Sequence, residues 1–346
     1  MLSCHALRFK ILHRRVILDV DSGIDDIIAI MVALRSRNIQ VIGISTVKGN
    51  VDPHIGTANV MKVLEIEKRL DIPVFKGAET SLNNRSLPPS IRKERRANHG
   101  VRGLGKLILN DEEMHELWNR ITPDEIKRTD YYSDFFEFIT RKYPDDDISI
   151  VATGPLTNIA NMVKEGGHLL HKIKEISIMG GSYHIITKKL FGESLRPAEF
   201  NFYSDPEAAK IVLNFKNQFI LKLIGINITQ GSMCSLNKDF ICSILATSDL
   251  HEKRSELLNF LSSLLYFKLE LNSILHLHDV LAVLMLDEPS LFRFIKGDVE
   301  VLTAKGNERG LSIFRENIKG DTLVASHVNG SKFRHLLRER LAILRI

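Results

Sequence analysis

The chain of 346 residues is 44% hydrophobic and 26% charged, with a formal net charge of +5 and an isoelectric point near 9.0. That balance is ordinary for a soluble globular chain long enough for one large α/β domain, and no nucleic-acid motif accompanies the mild basicity, so no nucleic-acid partner is expected. No apolar run reaches membrane-spanning length, and the three cysteines (Cys4, Cys234 and Cys242) form no Cys-x-x-Cys pair, which fits a reducing, cytoplasmic setting.

Residues 1–15 are basic and free of acids and read as a leader, with a mitochondrial transit peptide as the alternative, so the domain is expected over 16–346. Residues 16–20 form a β-branched apolar run of strand length, Ser22-Gly23 marks a turn, and Ile27, Ile28, Ile30, Met31 and Leu34 then recur at helical spacing. Four carboxylates, Asp19, Asp21, Asp25 and Asp26, crowd this junction. A helix N-terminus favours negative charge, but not enough for four anions that raise one another's pKa. Shared protons or a hard cation are required, and an all-oxygen set suits Ca²⁺ or Mg²⁺ rather than zinc. An EF-hand loop from Asp19 would need Gly and Glu where Ile24 and Ile30 stand, and Ser22-Gly23 breaks the Asp-x-Asp-Gly-Thr order of haloacid-dehalogenase-type phosphatases.

Further along, 41–47 reads as a strand ending in Lys48-Gly49-Asn50, 57–68 as a helix and 72–75 as a third strand. Residues 79–105 read as a long polar loop, with Arg92–Arg96 as a solvated charge run and His99-Gly100 near its end. A loop with one helical turn is expected over 111–130, a helix over 131–143, and a buried strand over 148–152 running into Thr153-Gly154-Pro155. A helix over 157–163 and a strand over 175–179, closed by Gly180-Gly181, follow. Asp205-Pro206 opens another helix, 219–228 is a strand, 236–275 is helical, and His276-Leu277-His278-Asp279 opens a helix through Leu286. Peripheral strands over 291–327 and an amphipathic helix over 332–346 complete the chain. The alternation predicts a single α/β domain with a mostly parallel, Rossmann-like sheet flanked by helices. Polar punctuation at the strand ends (Asp21, Asn50, Thr153 and the loop after Met179) places the expected active site at the strands' carboxyl ends.

Six motifs in this order resemble the inosine–uridine-preferring nucleoside hydrolase family over residues 16 to about 330. They are Asp-Val-Asp-Ser-Gly-Ile-Asp-Asp at 19–26, Lys48-Gly49-Asn50-Val51, Ala152-Thr153-Gly154-Pro155-Leu156-Thr157-Asn158, Met179-Gly180-Gly181, Ala198-Glu199-Phe200-Asn201 and His278-Asp279. The resemblance implies Ca²⁺-dependent hydrolysis of the N-glycosidic bond of ribonucleosides by a homodimer or homotetramer. It also implies Asp21, Asp26, Asp279 and the Thr153 backbone carbonyl as calcium ligands, Asp21 as general base and His278 as proton donor to the leaving base. Asp25, Asn50, Met179, Glu199 and Asn201 match positions around the ribose, with Phe200 beside them and His99 in a flexible-loop motif. The chemistry suits these types: breaking a ribosyl C–N bond builds oxocarbenium charge on the sugar, and water must be aimed and partly deprotonated. His276 is expected to be structural, and Tyr266 to belong to the core, with a place in the base pocket as the alternative.

Several positions depart from the family pattern. Ser22 replaces a usual Pro, a change expected to leave the turn intact, and Arg102 stands where small or acidic residues are commoner. Counted back without gaps from Glu199, Glu193 replaces a ribose-binding Asn, so its carboxylate is expected to disfavour 5′-monophosphates; Asn227 and Gln230 replace Asp and His. Two alternatives follow: a catalytically silent nucleoside-binding protein, motivated by Glu193 and Arg102, and a Mg²⁺-dependent phosphatase, motivated by Asp19-x-Asp21.

Overall fold

The β-branched run near the N-terminus builds the strand from which the rest is laid out. In the computed structural model, which describes residues 13–127, 129, 131–165, 167–183, 198–215, 218–246 and 252–342, this strand is β1 (Arg14–Val20). It is followed by β2 (Ile39–Thr46), β3 (Val74–Lys76), β4 (Ile148–Ala152), β5 (Ile173–Met179) and β6 (Ile220–Ile224). The short β7 (Leu236–Asn237) and β8 (Ile274–Leu275) pair with each other, and β9 (Phe292–Val301), β10 (Ser312–Glu316) and β11 (Thr322–Val328) close the series. Nine strands form one sheet in the order β10-β9-β11-β6-β5-β4-β1-β2-β3. Pairing is parallel from β3 through to β11; the β11–β9 and β9–β10 pairings are antiparallel, so within this sheet β9 alone runs against the other strands. The expected mostly parallel α/β sheet is what the chain forms.

Alternation along β1 distributes its side chains to two cores. Val16, Leu18 and Val20 join the helices Ile24–Leu34, Pro53–Ile66 and His278–Asp287, while Ile17 packs with Phe135, Phe136, Ile150 and Ile159 on the other face. Full burial of such residues is worth roughly 1.5–3 kcal/mol each. The helix His278–Asp287 is buried all round from Asp279 to Asp287, as an apolar helix must be, and lies against β5 and the helix Ile24–Leu34. Arg14 holds its far end, donating to the Leu286 carbonyl at 2.9 Å while pairing with Glu175 at 3.2 Å. Arg14 and Arg15 therefore belong to the folded domain rather than to a leader; residues 1–12 lie outside the described residues.

Several boundaries differ from expectation for local reasons. The long loop over 79–105 contains a helix, Pro89–His99, with proline in its first turn and Arg, Lys and Glu supplying helix propensity; only His99 is buried, so no apolar stripe announced it. Within 111–130, Asn110 and Glu113 form a capping box that opens a full helix, Asp111–Ile121, whose Met114, Leu117 and Ile121 are buried. Pro53 starts the second helix four residues early. The third strand runs one to two residues later than expected. β6 stops at Ile224 because Gly225 opens a helical turn, Ile226–Thr229. The stretch 236–275 holds two helices, Lys238–Leu245 and Glu252–Leu271, bracketed by the β7 and β8 strands.

Candidate active site

Chain order along the sheet reverses between β1 and β4, and the carboxyl ends of these strands open the crevice where ligands of such sheets bind. Two helix starts deliver carboxylates into it. Asp25 and Asp26 lie in the first turn of Ile24–Leu34, and Asp279 lies in the first turn of His278–Asp287. One oxygen from each of these three buried residues lies within 4.8 Å of the others. Burial, then the Asp25 charge, pushes Asp26 up to about 6, and burial with the Asp25, Asp26 and Asp21 charges raises Asp279. Asp25 goes the other way: burial works to raise it, but Lys268, with His99 and His278, pulls it down to about 2.

Hydrogen bonds fix the surroundings. Asp26 accepts from the Gly23 N–H at 2.8 Å and from the Thr153 hydroxyl at 2.6 Å. Asp21 is gripped by Asn50, whose backbone N–H donates to one oxygen at 2.8 Å and whose side-chain amide donates to the other at 2.7 Å. Burial, followed by the charge of Asp26, raises the Asp21 pKa well above the ordinary carboxylate range. Gly49 allows this approach, since a Cβ there would stand 2.0 Å from Asp21 Oδ2. Gly49→Ala is therefore expected to keep the fold and cost about 10²-fold in turnover, the scale of a displacement near 1 Å. Turnover within a factor of a few of wild type would show that Asp21 tolerates displacement.

Glu199 caps the helix Phe200–Ser204, accepting from the N–H groups of Asn201, Phe202 and Gly181 at 2.8, 3.1 and 3.0 Å. Burial raises its pKa and the three amides oppose that rise. Asn201 donates to the Thr153 carbonyl at 2.7 Å and to the Met179 carbonyl at 3.1 Å, joining the ends of β4 and β5. His99 Nδ1 accepts the Ile24 N–H at 3.1 Å, so that nitrogen carries no proton; it lies 3.5 Å from Asp25, and burial pushes the ring down to about 3. His278 shares a 2.6 Å hydrogen bond through Nδ1 with Thr229, and burial pushes it down to about 4.

Asp25, Asn50, His99, Thr153, Met179, Glu199, Phe200, Asn201, His278 and Asp279 all line one cavity, with Asp21 bonded to its Asn50 and Asp26 to its Thr153. The donor set fits a hard cation: three clustered carboxylates, with Asp25 Oδ1 buried and lacking any hydrogen-bond partner. The carboxylates whose oxygens converge are those of Asp25, Asp26 and Asp279, and Asp21, which the resemblance makes a calcium ligand, stands in hydrogen-bond contact with Asp26.

Asp19 stands apart, accepting from Ser45 at 2.6 Å and Asn158 at 2.7 Å, and burial pushes it up to about 7. Unfolded, it ionises near 3.8; folded, it keeps its proton to about 7, so its contribution to stability falls as pH rises through that window. Asp19→Asn keeps the acceptor and removes the titration. The variant is expected to gain on wild type by about 1.4 kcal/mol per pH unit between pH 4 and 7. Parallel stability curves would contradict this.

Some expectations fail here. Ser22 adopts φ +56°, a region closed to proline, so this turn is not one that the usual Pro would build. Arg102 donates to the Leu109 carbonyl at 2.9 Å and is not part of the cavity wall. His276 lines the cavity, its ring 6.0 Å from that of His278, and Tyr266 is 43% exposed rather than in the core. Within the supposed solvated run, Arg95 reaches the cavity and lies over the Phe200 ring at 4.4 Å. Lys268 and Thr229 gave no signal in the sequence, because each acquires its place only when its helix docks. Gln230 lines the cavity and Asn227 accepts from the Tyr183 N–H at 2.9 Å; Glu193 lies outside the described residues.

The model of the family described as inosine-uridine preferring nucleoside hydrolase matches residues 16–335. The chain is 32% identical over 317 residues to a protein of Arabidopsis thaliana named probable uridine nucleosidase 2, covering 88% of this chain and 87% of that one. It is 29% identical over 337 residues to the pyrimidine-specific ribonucleoside hydrolase RihA of Photobacterium profundum, covering 95% and 99%. A solved structure of a plant nucleoside hydrolase, PpNRh1, superposes with a TM-score of 0.76 at 28% identity over 96% of this chain and 99% of that one. Family membership sets the phosphatase alternative aside. With the family model and these relatives matching over nearly its whole length, the chain belongs to the inosine-uridine preferring nucleoside hydrolase family, hydrolases acting on N-glycosyl compounds.

Proposed function

We propose that this chain hydrolyses the N-glycosidic bond of ribonucleosides, with Ca²⁺ held by the carboxylates at the head of the two buried helices. The observation that carries the reading is the convergence of Asp25, Asp26 and Asp279 beside a cavity lined also by His278, Glu199 and Asn201. When bound, the ion supplies Lewis acidity toward water and sugar hydroxyls. Asp21, fixed by both Asn50 donors and raised in pKa by burial, takes the proton of the attacking water. Asn201 and the Met179 sulfur and carbonyl shape the wall against the ribose, and Glu199 keeps that wall rigid through its three amide contacts. His278, held through Nδ1 by Thr229, serves as the proton donor to the departing base.

Uridine is the first substrate to test, since relatives from Arabidopsis thaliana carry the name uridine nucleosidase. A reducing-sugar assay across purine and pyrimidine nucleosides should report ribose release. Saturable nucleoside binding without any ribose release would favour the silent binding protein.

A further inference from the structure

A second cavity of about 240 Å³ adjoins the first, sharing Asn50 and Arg95 with it. Its wall carries five cations, Lys48, Arg85, Arg92, Arg95 and Arg96, against three carboxylates, Asp52, Glu79 and Asp205. Those carboxylates are already engaged. Asp52 pairs with Lys48 and Glu79 with Lys76, while Asp205 accepts from the Leu82 and Ala208 N–H groups and the Thr157 hydroxyl. Arg85, Arg92 and Arg96 make no ion pair or side-chain hydrogen bond among the described residues. Arg95 Nε is buried without a partner where the two cavities meet.

Arg92, Arg95, Arg96 and His99 recur at i, i+3, i+4 and i+7 and so share one side of the helix Pro89–His99. Arg95 pairs with Glu94 at 2.9 Å, but Arg85, Arg92 and Arg96 gather here without an ion-pair partner among the described residues and repel one another; planar guanidinium forks bind phosphate oxygens bidentately, and a tetrahedral oxyanion offers oxygens to several forks at once. We propose that this cavity binds a phosphate group, and that phosphate seated there steadies the helix that sets His99 against Asp25. Two sources share that chemistry: free inorganic phosphate, or the phosphate of a mononucleotide whose sugar sits in the adjoining cavity. Only the second rests on the nucleoside reading above.

Titration calorimetry of the full chain with inorganic phosphate, at ionic strength held constant with chloride, should give a saturable signal. Arg92→Ala with Arg96→Ala should weaken it by roughly tenfold per arginine, and the paired Lys substitutions should recover part of the loss. Arg85→Ala provides an independent exposed site should the double variant melt early. Uridine turnover without phosphate should be the same in wild type and double variant. If uridine 5′-monophosphate binds more tightly than uridine, and loses that advantage in the double variant, the mononucleotide is the source; phosphate binding without such an advantage identifies the free ion. The absence of saturable phosphate binding, or equal binding in wild type and double variant, overturns the proposal. Failure to release ribose from any nucleoside would sink the hydrolase reading and leave the calorimetry unaffected.

Discussion

Stripping the chain of divalent cations is expected to abolish ribose release and to lower the melting temperature by several degrees. Both effects arise from the three buried carboxylates whose oxygens lie within 4.8 Å. A ligand that binds only the folded state at a hundred times its dissociation constant stabilises it by about 2.7 kcal/mol. In domains of some 150–250 residues each kcal/mol moves Tm by about 2–4 °C, and somewhat less in a larger one. The stripped protein should also acquire a pH dependence of known sign. Asp26 is pushed up to about 6 and Asp279 is raised as well, so the folded state keeps protons that the unfolded chain has released. Stability of the stripped form then falls as pH rises from about 4 through 6, and the loss of Tm on chelation should be smaller at pH 5 than at pH 8. Restoring Ca²⁺ should recover both readouts. Full activity after exhaustive chelation, with no metal found by elemental analysis, would exclude the carboxylate cluster as a catalytic cation site.

Replacing His278 by Ala should cost roughly 10²–10⁴-fold in turnover on uridine or inosine, the usual worth of a positioned acid. The ring is set for that role by Thr229 at 2.6 Å and by its place at the head of a helix buried along its length. Burial pushes it down to about 4, so near neutrality it is an uncharged imidazole with a single N–H to donate. A p-nitrophenyl riboside carries a leaving group that departs without a proton, and the loss on that substrate should be far smaller. Circular dichroism checks that the variant is folded. Equal losses on both substrates would mean that His278 positions the sugar rather than serving the leaving base.

The four carboxylates after β1 stood out because like charges crowd a strand–helix junction there, and Asn50 because it punctuates a strand end, whereas Glu199, Asn201 and the His278-Asp279 pair stood out only through their resemblance to family motifs; all of these except Asp19, Asp21 and Asp26 line one cavity. The alternation of apolar runs was equally clear for β1, β4 and β5, which are buried on both faces and read as continuous apolar stretches. What could not be read has a common physical origin. The helix Pro89–His99 buries only His99, so its amphipathic signal is one of charge rather than of core packing, and Arg95 looked like any solvated arginine. Lys268 comes from a helix whose residues are spread between core and surface, and nothing local distinguishes it from Lys62 or Lys106. Ser22 shows the same limit at backbone level: a serine replacing proline looks conservative as a turn residue, but its φ of +56° belongs to a different turn.

The carboxylate cluster also has a consequence for biosynthesis. Asp25 and Asp26 are made early, but Asp279 follows more than 250 residues later and is brought in by a helix that packs on the one bearing the first two. A ribosome adding about 5–20 residues each second makes the two halves of the cluster at least ten seconds apart. Throughout that interval a nascent chain holds the acidic pair without its third member. A cation that needs all three carboxylates could therefore be held only after the last third of the chain has docked.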